Sequence, residues 1–144
     1  MNNQLDLLKH LSSLEFLLLS NNRLTDGAIA GAFDSAPALK RLFLDGNLLA
    51  SIPAGLPVWR SCVWRLELCH NHLRQVPRQL PPGLRSLALT HNQIHSVSPD
   101  AFCWGQVALS GLLQVWLEHN LSHMGRLDSR AFRCLRGPQI LRFY

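Results

Sequence analysis

Aliphatic residues recur along this chain in one spacing, Leu-x-x-Leu-x-Leu-x-x-Asn-x-Leu. The first copy begins at Leu14 and ends at Leu24, and further copies occupy residues 39–49, 63–73 and 84–94. A fifth, less regular copy begins at Leu112. Within each copy the apolar residues alternate with other residues, and this period of two predicts a short β-strand with its leucines on one side. A single such unit cannot bury its apolar side alone, so the repetition predicts a stack of units.

The spacing is the leucine-rich-repeat signature. We therefore predict an α/β repeat fold: a solenoid with a parallel concave β-sheet and a mostly irregular, extended convex side. Residues 1–144 should form a single array of about five repeats with partial ends. Prolines in 52–57 and 76–82 argue against regular helix there. Helical turns are expected only in 26–35 and 98–102.

An asparagine closes each copy at the point where the chain should turn out of its strand. Its amide can satisfy backbone groups of two neighbouring coils, which spares buried polar atoms the cost of desolvation. This reasoning predicts a ladder made of Asn22, Asn47, Asn71, Asn92 and Asn120. Because Asn120 also begins the glycosylation sequon Asn120-Leu121-Ser122, two roles compete for it, and we favour the structural one.

Composition and charge limit the classes of function that this chain could have. The chain is 47% hydrophobic with a net charge of +5, which suggests acidic partners such as a glycosaminoglycan or phosphate. Its lysines and arginines are scattered singly, however, so we favour a solvated basic surface. No zinc-finger spacing, phosphate loop, catalytic constellation or membrane-spanning run is found. We therefore expect no enzyme activity, cofactor, nucleic-acid partner or membrane span.

Two sequence segments, Leu80 to Ile94 and Ser98 to Phe102, resemble the small leucine-rich proteoglycan family, especially its podocan-like members. The resemblance implies a secreted protein of the extracellular matrix whose concave face binds collagen, another matrix protein or a growth factor. It also implies that Cys103 and Cys134 pair as in the family's C-terminal cap, whereas two unpaired buried thiols are the alternative. The family's N-terminal cysteine cluster is missing, residues 58–62 look inserted and 103–111 look irregular. We therefore expect a fragment or variant of a longer protein.

Strand alternation also selects the residues that should face the concave side. Aromatic residues and arginines there are typical of binding hot spots, although aromatics that merely pack across strands are the alternative. We predict a ligand-binding surface made of Phe16, Leu18, Arg41, Phe43, Arg65, Glu67, Trp116, Glu118 and Arg142.

The histidines that precede three ladder asparagines form a second candidate site. His70, His91 and His119 should lie on successive rungs about 4.8 Å apart, where neighbouring imidazoles could share a zinc ion. Because no carboxylate or cysteine other than Cys69, beside His70, could complete a coordination shell there, we expect no metal site. Three functions stay open: a matrix-binding module, a generic leucine-rich-repeat adaptor or receptor ectodomain fragment, and a truncated isoform without independent function. Apolar ends containing Leu8 and Phe143 also predict self-association.

Overall fold

Six short strands form one parallel sheet. The computed structural model describes residues 14–29, 38–52, 63–78, 80–97, 101–104, 107–109, 111–120 and 140–142. The sheet runs in chain order through β1 (Phe16–Leu18), β2 (Arg41–Phe43), β3 (Arg65–Glu67), β4 (Ser86–Ala88), β7 (Gln114–Trp116) and β8 (Ile140–Arg142). Every neighbouring pair is parallel, with equivalent repeat positions side by side. This architecture confirms the predicted solenoid.

The core consists of the inward leucines and their substitutes. The central residue of each described coil is at most 9% exposed: Leu17, Leu42, Leu66, Leu87 and Val115. Each is paired in register with the equivalent residue of the next coil, so the residues stack into a continuous apolar column. Burial of such a side chain is worth roughly 1.5–3 kcal/mol relative to exposure. The coils therefore stabilise one another through their shared interior.

The tail of the first coil contains the short helix α1 (Asp26–Ile29), which agrees with the start of the helical turns expected in 26–35. Residues 30–35 lie outside the described residues. The Asp26 carboxylate accepts hydrogen bonds from the Ala50 N–H at 2.8 Å and the Ser51 N–H at 3.3 Å, and from the Ser51 hydroxyl at 3.0 Å. Asp26 thus joins the tails of two coils, a role that the repeat pattern did not indicate.

The later tails are extended or form small turns. Gln75 pairs with Ser96 in a parallel bridge between the third and fourth coils, and the described residues of 76–82 contain no helix. The proline-based prediction is therefore confirmed for the described part of 76–82. The segment 53–57 and the suspected insertion at 58–62 lie outside the described residues.

The tail of the fourth coil differs from the expectation. Ala101 and Phe102 are buried but not helical, and residues 98–100 lie outside the described residues. A hairpin follows, in which β5 (Cys103–Trp104) pairs antiparallel with β6 (Val107–Ala108). The Leu109 N–H donates to the Phe102 carbonyl at 2.9 Å and closes this hairpin. The extra hairpin accounts for the length and irregularity of 103–111.

Candidate binding surface

The asparagine side chains fix the edge of the sheet beyond the strands. Asn71 accepts the Leu49 N–H at 3.0 Å and donates to the carbonyls of Leu44 and Leu68 at 3.1 and 3.0 Å. Asn47 and Asn92 bridge their neighbouring coils in the same way. These three side chains are 3–7% exposed, so their hydrogen bonds satisfy backbone groups that water does not reach.

The two outer asparagines are less enclosed. The Asn120 oxygen accepts the Ile94 N–H at 3.0 Å, and its nitrogen donates to the carbonyls of Leu89 and Leu117, but the residue is half-buried. Asn22 is exposed, and its nitrogen donates to the Ser20 carbonyl within its own coil. The sequence pattern is the same at all five asparagines, whereas the structure buries the three inner ones and leaves the two outer ones partly or fully exposed.

Three columns of side chains face the concave side, each with one residue per coil. The strand registers place Phe16, Arg41, Arg65, Ser86 and Gln114 in the first column. The middle column contains Leu18, Phe43, Glu67, Ala88 and Trp116. The third column, which follows the strands, contains Ser20, Asp45, Cys69, Thr90 and Glu118. The described residues of the predicted ligand-binding set therefore lie on one continuous surface.

Aromatic rings and guanidinium groups interlock on the first three strands. The rings of Phe16 and Phe43 have centroids 5.1 Å apart, and Arg41 lies over the Phe16 ring at 4.4 Å. Arg65 lies over the Phe43 ring at 5.2 Å and donates to Glu67 at 2.7 Å. Packing across strands, the alternative considered for these aromatics, thus accounts for part of their placement. Phe16 nevertheless remains 37% exposed.

The middle column carries accessible apolar side chains at both of its ends. Leu18 is 61% exposed, and Trp116 is half-buried. Ala88 is the register partner of Trp116 and is only 4% exposed. This small residue therefore adds little accessible surface to the middle column. Arg142 is the register partner of Trp116 on β8, but its side chain lies outside the described part of the structure.

The three predicted histidines form a stack. The ring centroids of His70 and His91 are 4.2 Å apart at an interplanar angle of 13°, and those of His91 and His119 are 4.3 Å apart at 21°. Imidazole lone pairs lie in the ring plane, so an ion held between stacked faces would lie off both lone pairs. Among the described residues, no cluster of three or more metal-binding side chains is found.

The backbone explains why histidine occurs at these positions. His70, His91 and His119 have φ between 56° and 58°, and the equivalent residues of the first two coils, Asn21 and Gly46, also have positive φ. Glycine, asparagine and histidine are the residue types that best tolerate this left-handed conformation. Desolvation lowers the pKa of His91, and charge on His70 and His119 lowers it further.

The two described cysteines differ in oxidation state. Cys69 is a free thiol in the third column, and burial raises its pKa. Cys103 is disulfide-bonded. Its predicted partner Cys134 lies outside the described residues, as does Cys62, so the Cys103–Cys134 pairing stays a prediction. No helix within the described ranges is long and apolar enough to cross a bilayer.

Comparison with known proteins finds leucine-rich-repeat relatives of this chain. A sequence model described as Leucine Rich Repeat matches residues 13–35. The chain is 33% identical to Mus musculus podocan over 148 aligned residues, which cover 86% of the chain and 23% of podocan. It is 34% identical to a Sus scrofa fibromodulin over 120 residues, which cover 83% of the chain and 78% of that protein. It is also 31% identical to Mus musculus podocan-like protein 1, of which it spans 22%.

Proposed function

Because the chain belongs to the small leucine-rich proteoglycan family, we propose that it is a non-catalytic module that binds a protein ligand of the extracellular matrix on its concave face. Such a module works through shape and surface chemistry, since a solenoid presents one residue per coil at each surface position. The ligand is chosen by the side chains in the three concave columns, and the leucines and asparagines only hold those columns in place.

The observation that carries this proposal is the placement of large apolar side chains in register on the concave face. Phe43 and Trp116 occupy the middle column three strands apart, which corresponds to roughly 14 Å. Leu18 extends this column at one side with 61% of its surface exposed. Aromatic and arginine side chains supply most hot spots at protein interfaces, and Arg41 and Arg65 adjoin this column. An extended or rod-like partner lying across the strands would contact all of them.

Collagen is the first partner to test, and the extracellular matrix is the proposed location. The disulfide-bonded state of Cys103 supports an oxidising compartment, because disulfides persist in secreted proteins and are rare in the cytosol. A generic adaptor or receptor ectodomain fragment and a truncated isoform without independent function remain the alternatives. The isoform without independent function would leave collagen unbound.

The test is binding to immobilised collagen by the wild type and by Phe43→Ala and Trp116→Ala. Each substitution should weaken binding by about 2 kcal/mol or more, as the truncation of a hot spot does. Leu48→Ala is the matched control, because Leu48 is apolar and 45% exposed but lies past the ladder asparagine Asn47, outside the concave columns. Arg78→Ala controls for a cation outside those columns. Circular dichroism should show that each variant folds. Equal binding by the wild type and the double aromatic variant would reject the concave face.

A further inference from the structure

One rim of the sheet is formed by the residues that directly precede the strands. We name it the leading rim, and its members are Glu15, Lys40, Trp64, Arg85 and Leu113. Each is exposed, and each of the last four donates its backbone N–H to the carbonyl of the preceding member at 2.8–2.9 Å. These bonds hold the five residues on successive rungs. Their side chains therefore form an ordered row although they are 21 to 28 positions apart in sequence.

Basic residues collect along this rim and the concave column beside it. We name Lys40, Arg41, Arg65 and Arg85 the basic edge. Arg41 and Arg65 are register partners, and Lys40 and Arg85 lie two rungs apart, roughly 10 Å. Lys40 and Arg41 are neighbours in the sequence, and the stacking of the coils brings Arg65 and Arg85 beside them. This placement differs from the diffuse basic surface expected from the sequence.

Carboxylates pair with two of the four cations of the basic edge. Glu15 pairs with Lys40 at 3.3 Å, but both side chains are at least half exposed, where such a pair contributes little. Glu67 pairs with Arg65. Within the described part of the chain, Arg41 and Arg85 make no ion pair. Asp45 and Glu118 lie in the third column, at the other end of the strands, so the surface is basic at one end and acidic at the other.

Two of the three guanidinium groups of the basic edge are also held in place. Arg41 is stacked on Phe16, and Arg65 is stacked on Phe43 and hydrogen-bonded to Glu67. A cation that is already ordered loses less conformational entropy when it binds an anion. Arginine also presents a planar fork of donors that matches an oxyanion. Arg41, whose guanidinium shares no ion pair among the described residues, therefore suits a ligand that presents sulfate or similar oxyanions, whereas two Arg65 donors are engaged by Glu67.

We propose that the basic edge binds a linear sulfated polysaccharide, which lies across the strands along the leading rim. Trp64 favours a sugar chain over other polyanions, because its indole is 37% exposed between Lys40 and Arg85. The apolar face of a sugar ring stacks on such an indole while the neighbouring cations contact its sulfates. This ligand is additional to the protein ligand of the concave face, and the two would compete for Arg41 and Arg65.

The proposal is tested with an immobilised heparin oligosaccharide at about 0.15 M salt, where screening leaves close contacts intact. The double variant Lys40→Gln/Arg85→Gln should bind about fivefold more weakly or worse. The matched double variant Arg23→Gln/Arg74→Gln removes the same charge from exposed positions past the ladder asparagines and should change binding less than twofold. Equal losses in the two double variants would mean diffuse attraction and would overturn the site.

Trp64→Leu tests the sugar contact separately from charge. It should weaken heparin binding severalfold without changing the dependence of binding on salt, whereas Trp64→Phe should retain most of the affinity. Circular dichroism of both variants distinguishes loss of contact from loss of fold. Desulfated heparin should not bind, and polyglutamate should bind far more weakly than heparin. Absence of heparin binding, or equal binding of polyglutamate, would overturn the polysaccharide as the ligand class.

Discussion

The side-chain oxygen of Asn71 accepts the backbone N–H of Leu49 from 22 positions earlier in the chain, at 3.0 Å and in the buried interior. Asn71→Ala removes this acceptor and also the donor to the Leu44 and Leu68 carbonyls. Those carbonyls still accept from the amides of Asn47 and Asn92, so the Leu49 N–H is the buried group left without a partner. We expect the free energy of unfolding to fall by about 1–3 kcal/mol. Chemical denaturation with a fitted midpoint and slope measures the loss.

Asn22→Ala is the matched control for that experiment. Asn22 occupies the same position of its repeat, but it is exposed and its amide donates to the Ser20 carbonyl. Its replacement should change the free energy of unfolding by less than about 0.5 kcal/mol. A comparable loss in both variants would mean that burial does not set the value of these asparagines.

The repeat pattern predicted the strands and the inward leucines because both follow from alternation along an extended chain. It also gave the concave positions of Phe43 and Trp116, which depend only on register. It could not give the Asp26 bridge or the antiparallel hairpin after Phe102, since both lie in tails that obey no repeat. The basic edge escaped prediction for another reason. Residues that are far apart in the sequence become neighbours only when the coils stack, and the sequence alone does not show this.

Gly46 occupies the left-handed turn of the second coil with φ of 71°. Gly46→Val should lower the free energy of unfolding by about 1–3 kcal/mol, because a β-branched residue is strained at positive φ. Gly46→Asn should lose less, since Asn21 already adopts φ of 60° at the equivalent position. A Cβ at residue 46 would meet the Asn21 side-chain oxygen, so both variants require that side chain to move, and the difference between them isolates the backbone strain. Thermal unfolding of the two variants measures the difference. Equal melting temperatures would contradict a conformational cause.

The Asn120 amide is engaged in the ladder, where it donates to the Leu89 carbonyl at 3.0 Å and the Leu117 carbonyl at 2.9 Å. A glycan replaces one of the two N–H hydrogens on this nitrogen, so at least one of those hydrogen bonds would be lost and a bulky group would be forced toward the sheet edge. We therefore expect the folded chain, expressed through a secretory pathway, to carry no glycan on Asn120. Intact mass spectrometry before and after glycosidase treatment tests this. A mass shift in folded, monomeric material would show that the sequon is used.

The stacked histidines predict a specific loss of stability in mild acid. In the folded chain, desolvation and charge on His70 and His119 lower the pKa of His91, whereas Glu118 acts in the opposite direction. The ordinary value of 6.5 applies when the chain is unfolded. The unfolded chain therefore binds a proton at His91 more readily than the folded chain does. Stability present above pH 6.5 should be lost as pH falls through 6.5 toward the lowered pKa of the folded state.

The measurement is the melting temperature between pH 7.5 and 5.0 for the wild type, His91→Asn and His72→Asn. Asparagine keeps the left-handed backbone of residue 91 accessible, so His91→Asn removes the central imidazole without adding strain. It should reduce the loss of melting temperature on acidification. His72→Asn is the control, because His72 is an exposed histidine outside the stack. A control is needed because acidification also titrates carboxylates elsewhere in the chain. If both variants followed the wild-type pH profile, the stack would not be the group that responds to acid.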